Sequence, residues 1–344
     1  MTTEKPNVPL FGGETADELW RVVTHAFANE QVSIQGGRGG ATREVLHAVL
    51  AITNPRQRWV PSRRPAMNPA FAIAELVWIM GGRDDAAFVN FFNPALPNYA
   101  GTSARYDGAY GYRLRRAFGL DQLMRSKAAL EANPDTRQVV LQIWDVSRDL
   151  PDETGQPRNA DIPCNVLAML KVREERLHWT QILRSNDVLL GLPFNIVQFT
   201  SLQEIVAGWL GIEVGQYTHL SDSLHVYEKD LTAIRALEGA RAEPNVDSIA
   251  LPLEESMRVW RELEHLTDRL VAANLASAQL ENLLRSSGLP PAFRNYLAIL
   301  AADAARRRGW IDVMKEVVKT CLNPALLQLW GSWLARTSAP QAVR

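Results

Sequence analysis

The sequence has little cysteine, no excess of charge of one sign and no long hydrophobic run. Its two cysteines, Cys164 and Cys321, are too few for a disulfide framework, which fits a reducing cytoplasm. The 37 Lys and Arg residues balance 38 Asp and Glu residues, so no nucleic acid is expected as a main partner. No apolar run approaches the roughly 20 residues of a membrane span, and no signal peptide is visible. We expect a cytoplasmic protein without a membrane partner.

Length and apolar content allow a sizeable core. The chain has 344 residues, of which 47% are hydrophobic, enough for one large domain or two small ones. The net charge is only -1. Any site for an anion must therefore be built by local residues and not by the field of the whole protein.

The spacing of apolar residues predicts helices and consecutive strands up to residue 230, which favours an α+β fold with a mixed sheet. We expect Phe88–Arg105 to be irregular. Strands are predicted at Val45–Ile52, Gln138–Val146, Val166–Lys171, Leu177–Leu183, Val214–His219 and Leu224–Tyr227. Helices are predicted at Ala16–Ala28, Pro69–Met80, Leu120–Asn133 and Ile196–Leu210.

The character of the chain changes after Asp230, where β-branched residues become rare and helical spacing dominates. Helices are predicted at Glu254–Leu270, Leu275–Ser286, Pro291–Arg307 and Trp310–Leu334, the last broken at Pro324. We therefore predict a core over residues 13–230 and a helical C-terminal extension over residues 231–344 that packs on it.

One stretch, from Asp161 to Tyr227, concentrates an unusual set of polar residues between apolar segments. It contains Asp161-Ile162-Pro163-Cys164-Asn165, Arg184-Ser185-Asn186-Asp187, Gly191-Leu192-Pro193-Phe194-Asn195 and Ser223-Leu224-His225-Val226-Tyr227. A nucleophilic thiol beside a cation, an amide and hydroxyl-binding side chains suits an electron-poor ring that carries a phosphate.

Each residue type has a physical use in such a site. The thiolate of Cys164 is a strong nucleophile once a cation lowers its pKa, and Arg184 can supply that cation or bind a phosphate. Asn195 offers one acceptor and two donors, which can read an amide-like ring edge. His225 and Tyr227 stand two residues apart, so on a strand they face one side and can hold sugar hydroxyls.

These fragments resemble the core of the thymidylate synthase family, which reads Pro-Cys-His, Arg-Ser-x-Asp, Leu-Gly-x-Pro-Phe-Asn and Asp-x-His-x-Tyr. The order and spacing agree, although Ser223 stands at the last aspartate and Asn165 at the histidine. The resemblance extends from roughly Arg38 to Tyr227. Each fragment alone is weak evidence, but the joint pattern is specific.

The resemblance places further residues in the site. Arg38, in a glycine-rich loop that alone reads as a flexible hairpin, stands at a phosphate-binding arginine. Glu75 lies on an apolar helix, where a lone acid is costly unless it is paired or functional, and matches the family's catalytic glutamate. Tyr110 matches an active-site tyrosine. Arg137 matches the first of two arginines that reach the partner's phosphate across a homodimer, whereas Gln138 replaces the second.

The family transfers a one-carbon unit from 5,10-methylenetetrahydrofolate to C5 of a pyrimidine nucleoside monophosphate, with no metal. By resemblance, Cys164 adds to C6 of the ring while Asn195 holds the edge where charge develops. Tyr110 and Glu75 handle the C5 proton through water, and Asp187 contacts the folate. The resemblance assigns phosphate contacts to Arg38, Arg184, Ser185 and, from a second subunit, Arg137.

Departures from the family pattern favour a hydroxymethyl product over a methyl product. Asn165 replaces the histidine, the folate-side tryptophans fall at Leu96 and Tyr99, and the short closing tail is replaced by helices. These features normally exclude water and pack the folate, and water attack would give a hydroxymethyl group. The chain is also similar to phage-type deoxycytidylate hydroxymethylases at Arg-Ser-Asn-Asp-Val and Ser-Leu-His-Val-Tyr.

Several alternatives stay open on the sequence alone. Asn195 favours uracil, because the cytidylate enzymes carry aspartate there, yet a flipped amide would suit cytosine. Nothing in the sequence distinguishes ribose from deoxyribose. The chain could be a thymidylate synthase, or a silent nucleotide-binding homologue, although the retained catalytic set argues against silence. A cysteine hydrolase would need His225 within hydrogen-bond reach of the Cys164 thiol.

Overall fold

The frame of the protein is a twisted sheet of mixed direction with helices packed against it. The computed structural model describes residues 8–29, 33–37, 39–235 and 241–338. Within these ranges the strands are β1 Leu10–Gly13, β2 Ser33–Gly37, β3 Gly40–Ile52, β4 Val140–Gln142, β5 Asn165–Arg173, β6 Arg176–Leu183, β7 Asn186–Asp187 and β8 Glu213–Tyr227.

The strands lie in the order β1-β3-β8-β6-β5-β4, with β2 beside β3 and β7 beside β8. β1 is parallel to β3, and β6 and β7 are parallel to β8, whereas the remaining pairs are antiparallel. Glu174 and Glu175, at φ 52° and 56°, form the tight turn between β5 and β6, as two-residue hairpins require. The predicted α+β fold with a mixed sheet is confirmed.

The helices of the first part surround one long central helix. They are α1 Ala16–Asn29, α2 Pro69–Met80, α3 Ala86–Phe92, α4 Pro97–Ala100, α5 Tyr110–Tyr112 continued by a π-helical turn over Arg113–Ala117, α6 Gln122–Ala132, α7 Val146–Asp149, α8 Leu192–Leu210 and α9 Leu231–Arg235. α8 is buried on nearly all sides, as a helix that is apolar all round must be, and Gly211 ends it at φ 68°. This helix carries the amide residue Asn195 at its first turns.

The C-terminal helices are separate from the sheet in sequence but pack on the same core. They are α10 Leu253–Val271, α11 Ser277–Ser286, α12 Pro291–Arg307, α13 Ile311–Val318 and α14 Pro324–Ser338. α10, α12 and α14 contact α2, and α10 also contacts α8. In the described ranges, none of the helices has both the length and the apolarity required to cross a bilayer.

Hydrogen bonds to one buried, ion-paired carboxylate connect the extension to the central helix. Glu204 on α8 pairs with Arg58, and it accepts hydrogen bonds from Ser248 Oγ at 3.0 Å and from the Ile249 N–H at 3.1 Å. Although burial acts to raise it, Arg58 holds the pKa of Glu204 below its ordinary value. Tyr296 on α12 contacts Arg58 as well. The division into a core and an extension stays a prediction, but the two parts share this cluster.

Several predicted boundaries were wrong, each for a local reason. The region predicted as irregular contains α3 and α4. The two predicted strands at Val214–His219 and Leu224–Tyr227 are one strand, β8, because the polar residues between them pair with β3. The strand predicted at Gln138–Val146 is limited to β4. The break predicted at Pro324 in the last helix is confirmed, because α14 begins at that residue.

Candidate active site

The pairing of β5 with β6 brings the cysteine and the arginine together. Cys164 stands immediately before β5, and Arg184 immediately after β6, so the antiparallel hairpin places them side by side. The Arg184 N–H donates to the Cys164 carbonyl at 3.0 Å. The Arg184 guanidinium donates to the Pro163 carbonyl at 3.0 Å and lies over the Trp144 ring at 5.3 Å. The predicted neighbourhood of thiol and cation is therefore present.

The thiol is nevertheless not poised as a thiolate. Burial raises the pKa of Cys164 above its ordinary value, and the opposing effect of Arg184 is smaller. The carboxylates of Asp161 and Asp187 add to the increase. The sequence suggested that Arg184 could lower this pKa. Arg184 does act in that direction, but the effect of burial outweighs it at this half-buried cysteine.

Tyr110 reaches the cysteine from the other side because a glycine lets its helix approach α2. A Cβ at Gly111 would lie 2.4 Å from Ile79 Cα, so only glycine permits this packing. Burial raises the pKa of Tyr110, and the nearby Cys164 raises it further, whereas a hydrogen bond with Asn165 opposes both. Tyr110 therefore touches the residue next to the thiol and remains a neutral phenol.

Glu75 is half-buried on α2 with its Oε2 atom enclosed, and it has no ion pair among the described residues. Burial raises its pKa to about 8, and a contact with Gln198 offsets only part of the increase. Among the described residues, Glu75 Oε2 and Gln198 Oε1 are buried acceptors without a hydrogen-bond donor. Buried polar atoms are rarely left without a partner, which points to a hydrogen-bond partner outside the chain, such as water or a ligand. At neutral pH this glutamate is mostly a neutral acid.

Asn195 is held by two other asparagines. Asn165 Nδ2 donates to Asn195 Oδ1 at 3.2 Å, and Asn195 Nδ2 donates to Asn186 Oδ1 at 3.2 Å. Asn195 is 6% exposed, and Asn165 and Asn186 are still more buried. Asn165, noted in the sequence only as a departure, thus links the predicted amide residue to Tyr110 and follows Cys164 directly.

Asp187 shapes the entry to α8. Its Oδ1 accepts from the Leu189 and Leu190 N–H groups, both at 2.7 Å. Burial raises the pKa of Asp187, while these backbone donors and the neighbouring His225 act against it. Asp187 pairs with His225 in the sheet. The carboxylate predicted to contact the folate therefore also holds this turn in place.

His225 and Tyr227 lie beside each other on β8 and face the glycine-rich hairpin. Their ring centroids are 5.6 Å apart. A Cβ at Gly39 would lie 2.9 Å from Tyr227 Cε1, so this loop touches the tyrosine. Arg38, predicted to bind phosphate from the same loop, lies outside the described residues. Ser185 is half-buried beside Arg184.

Three predicted residues lie away from this group. Arg137 is exposed before the edge strand β4, as a residue that acts on a partner subunit would be. Tyr99 is 58% exposed and Leu96 is half-buried, both at α4. A Cβ at Gly101, next to α4, would lie 2.9 Å from Ala160 Cβ, so this segment borders the loop that leads to Cys164.

Sequence reasoning missed polar residues that the site uses. Gln198 follows Asn195 by three positions on α8 and so shares its face, and that spacing could have revealed it. Asp161 accepts from the Gly108 N–H at 2.7 Å, and burial raises its pKa to about 6. Gln181 and Trp179 alternate on β6 and are fully buried, but they read as ordinary strand residues.

One protein-family model matches most of the residues that form this arrangement. The family model described as thymidylate synthase matches residues 56–262, more than half of the chain. The chain belongs to the thymidylate synthase family. The predicted resemblance is thus confirmed, and with it a family of one-carbon transferases.

The relatives of this thymidylate synthase family member include phage hydroxymethyltransferases. The deoxyuridylate hydroxymethyltransferase of Pseudomonas phage M6 is 37% identical over 52% of this chain and 50% of that protein. The protein of the same name from Bacillus phage SP01 is 30% identical over 71% of this chain and 67% of that protein. A putative thymidylate synthase of Methanothermobacter marburgensis is 30% identical over 61% of this chain and 89% of that protein. The chain therefore spans only half the length of the first of these relatives.

Proposed function

We propose that the chain transfers a hydroxymethyl group from 5,10-methylenetetrahydrofolate to C5 of a pyrimidine nucleoside 5′-monophosphate, with dUMP favoured and dCMP or CMP as alternatives. The observation that carries this proposal is the meeting of Cys164, Tyr110 and Asn195 at Asn165, with Glu75 near Tyr110. Two phage relatives named deoxyuridylate hydroxymethyltransferase support the hydroxymethyl product.

The described residues suggest a division of labour. Cys164 adds through its sulfur to C6 of the ring, which makes C5 nucleophilic, and leaves again when the product forms. Asn195 holds the ring edge on which negative charge develops. Tyr110 positions the water that takes the C5 proton, and Glu75, neutral below about pH 8, can donate to that charge through water. Arg184 and Ser185 bind phosphate, joined by Arg38 and by Arg137 from a second subunit of a homodimer.

The residues present fit a folate cosubstrate. When bound, methylenetetrahydrofolate supplies the one-carbon unit at the oxidation level of formaldehyde. Asp187, Leu96 and Tyr99 would hold it, and the unpartnered acceptors on Glu75 and Gln198 fit the waters of such a site. The exposed Tyr99 stands where the family carries a tryptophan that packs the folate, so we expect water to be excluded less completely on this side.

The test is incubation with methylenetetrahydrofolate and each of dUMP, dCMP, UMP and CMP, followed by product mass spectrometry in ¹⁸O-labelled water. We expect a hydroxymethyl product that carries one labelled oxygen, together with tetrahydrofolate. Dihydrofolate formed in step with a methylated product would instead identify a thymidylate synthase, the activity named for the Methanothermobacter relative. No product from any nucleotide would favour a silent homologue.

Two further expectations belong to this proposal. A cysteine hydrolase is disfavoured, because the His225 ring packs on Tyr227 and, among the described residues, His225 makes no hydrogen bond to the Cys164 thiol. The unpaired state of both cysteines fits the expected cytoplasmic location.

A further inference from the structure

A continuous series of hydrogen bonds between buried side chains passes through Asn195, and we call it the amide chain. Trp179 Nε1 donates to Gln181 Oε1 at 3.0 Å, and Gln181 Nε2 donates to Asn165 Oδ1 at 3.0 Å. Beyond the two asparagine contacts of Asn195, Asn186 Nδ2 lies 2.9 Å from His219 Nε2, and His219 Nδ1 lies 2.9 Å from the Tyr217 hydroxyl. The chain comprises Trp179, Gln181, Asn165, Asn195, Asn186, His219 and Tyr217, all at most 6% exposed.

Only one end of the amide chain fixes the direction in which its hydrogen bonds run from donor to acceptor. An indole N–H is a donor and never an acceptor, so Gln181 must turn its carbonyl toward Trp179 and its amide toward Asn165. Asn165 must then accept from Gln181 and donate to Asn195. At the other end, a neutral imidazole and a hydroxyl can each donate or accept, and burial lowers the pKa of His219 to about 3, which keeps it neutral.

This direction decides what Asn195 can offer to a ligand. Its carbonyl faces Asn165 and its amide faces Asn186, and each keeps one further hydrogen-bonding position. Uracil presents a donor at N3 and an acceptor at O4, whereas cytosine presents an acceptor at N3 and a donor at its amino group. The two bases therefore require opposite orientations of the same amide.

Reversing Asn195 alone would set two donors against each other at Asn165 and two acceptors against each other at Asn186. Reversing Asn165 and Gln181 with it would move the conflict to the Trp179 N–H, which cannot change. We propose that Trp179 is a specificity-determining positioning residue, whose indole N–H fixes the orientation of the Asn195 amide and so restricts the site to one pyrimidine base. The inference rests on the proposed function only in placing a pyrimidine ring against Asn195.

The test compares the two ends of the amide chain. Trp179→Phe removes the donor that sets the direction, whereas the control Tyr217→Phe removes a buried group that sets none. The dissociation constants of dUMP and dCMP are measured by calorimetry without folate. One unsatisfied buried hydrogen bond corresponds to roughly a tenfold to hundredfold difference in affinity, so we expect the unmodified protein and Tyr217→Phe to discriminate by about that factor. In Trp179→Phe the ratio should fall to within about threefold of unity.

Gln181→Met serves as a second variant if Trp179→Phe does not fold, because it separates the indole from Asn165 at similar volume. Gln181→Met should bring the ratio of the dissociation constants of dUMP and dCMP close to unity in the same way. Its folding is checked by circular dichroism. The proposal would be overturned if the ratio of the two dissociation constants stayed unchanged in the folded variants, or if it fell equally in Tyr217→Phe. It would also be overturned if the unmodified protein bound dUMP and dCMP with equal affinity. Because nucleotide binding alone is measured, a missing hydroxymethyl product would contradict the proposed function and leave this inference standing.

Discussion

The group around Asn195, proposed to read the ring, and the group around Glu75, proposed to move protons, are built in opposite ways. In the amide chain around Asn195, each amide N–H that faces a neighbouring amide donates to its oxygen. Around Glu75, by contrast, buried acceptors have no donor among the described residues, and the pKa values of Glu75, Tyr110 and Cys164 are all raised. Recognition is therefore organised before the ligand binds, whereas the reacting groups stay neutral and incompletely bonded, a cost that proteins accept at functional sites.

The largest effect should come from the nucleophile. Cys164→Ala should abolish tritium release from C5 of the labelled nucleotide, because no other thiol can add to C6, while nucleotide binding remains measurable. Cys321→Ala is the matched control, since Cys321 is buried between C-terminal helices and is predicted only to pack. Substantial turnover by the Cys164 variant would end the covalent mechanism.

Glu75→Gln should lower the activity of the protein while it raises the stability of the fold. The turnover number should fall by about 10²–10⁴, the usual contribution of a positioned acid or base. The pH–rate profile of the unmodified enzyme should decline above about pH 8, where Glu75 loses its proton, and this limb should vanish in the variant.

The same substitution should stabilise the fold. The unfolded carboxyl ionises near its ordinary pKa of 4.5, whereas the folded one stays protonated to about 8. The unfolded state therefore binds fewer protons between these values, so stability falls as pH rises through this window. An amide at this position does not ionise and has no such loss, so the melting temperature of Glu75→Gln should exceed that of the unmodified protein increasingly from pH 5 to pH 8. Equal melting curves at both pH values would contradict a buried, neutral glutamate.

A smaller effect is expected from Asn195→Asp, which tests the hydrogen-bonded group of amides around Asn195. A carboxylate cannot donate to Asn186 Oδ1, and when protonated it can donate to N3 of cytosine and accept from its amino group. Preference should move from a uracil to a cytosine nucleotide by roughly ten- to a hundredfold, the cost of one mismatched buried polar group. The measurement is kcat/KM for dUMP, dCMP and CMP in both proteins. A preference for cytosine in the unmodified protein would contradict the assignment of uracil to Asn195.

The smallest expected signal concerns the subunit interface. If Arg137 reaches the partner's phosphate site, mixing Arg137→Ala with Cys164→Ala protein gives hybrid dimers with one complete site. Free exchange of subunits should restore about a quarter of the unmodified activity. A fully active monomer, shown by light scattering at the assay concentration, would refute the shared site.

The fold class and the central helix were predicted from the local spacing of apolar residues, whereas the group around Cys164 was predicted from the resemblance to a family. Pro69–Met80 and Pro291–Arg307 were predicted to the residue, since proline marks a helix start. The direction of the amide chain could not be predicted. Trp179 and Asn165 are 14 positions apart and meet through Gln181 only because β5 and β6 pair, and the raised pKa of Cys164 depends on burial that no motif encodes.

The ion pair between Glu204 and Arg58 limits how this protein can be redesigned. Glu204 lies on the same rigid helix as Asn195, nine positions further on, and takes two of its hydrogen bonds from the segment before α10. A shortened protein ending at the sheet would lose those two donors to this carboxylate. A minimal version of the enzyme must therefore keep the helical extension or replace Glu204 and Arg58 together with an apolar pair.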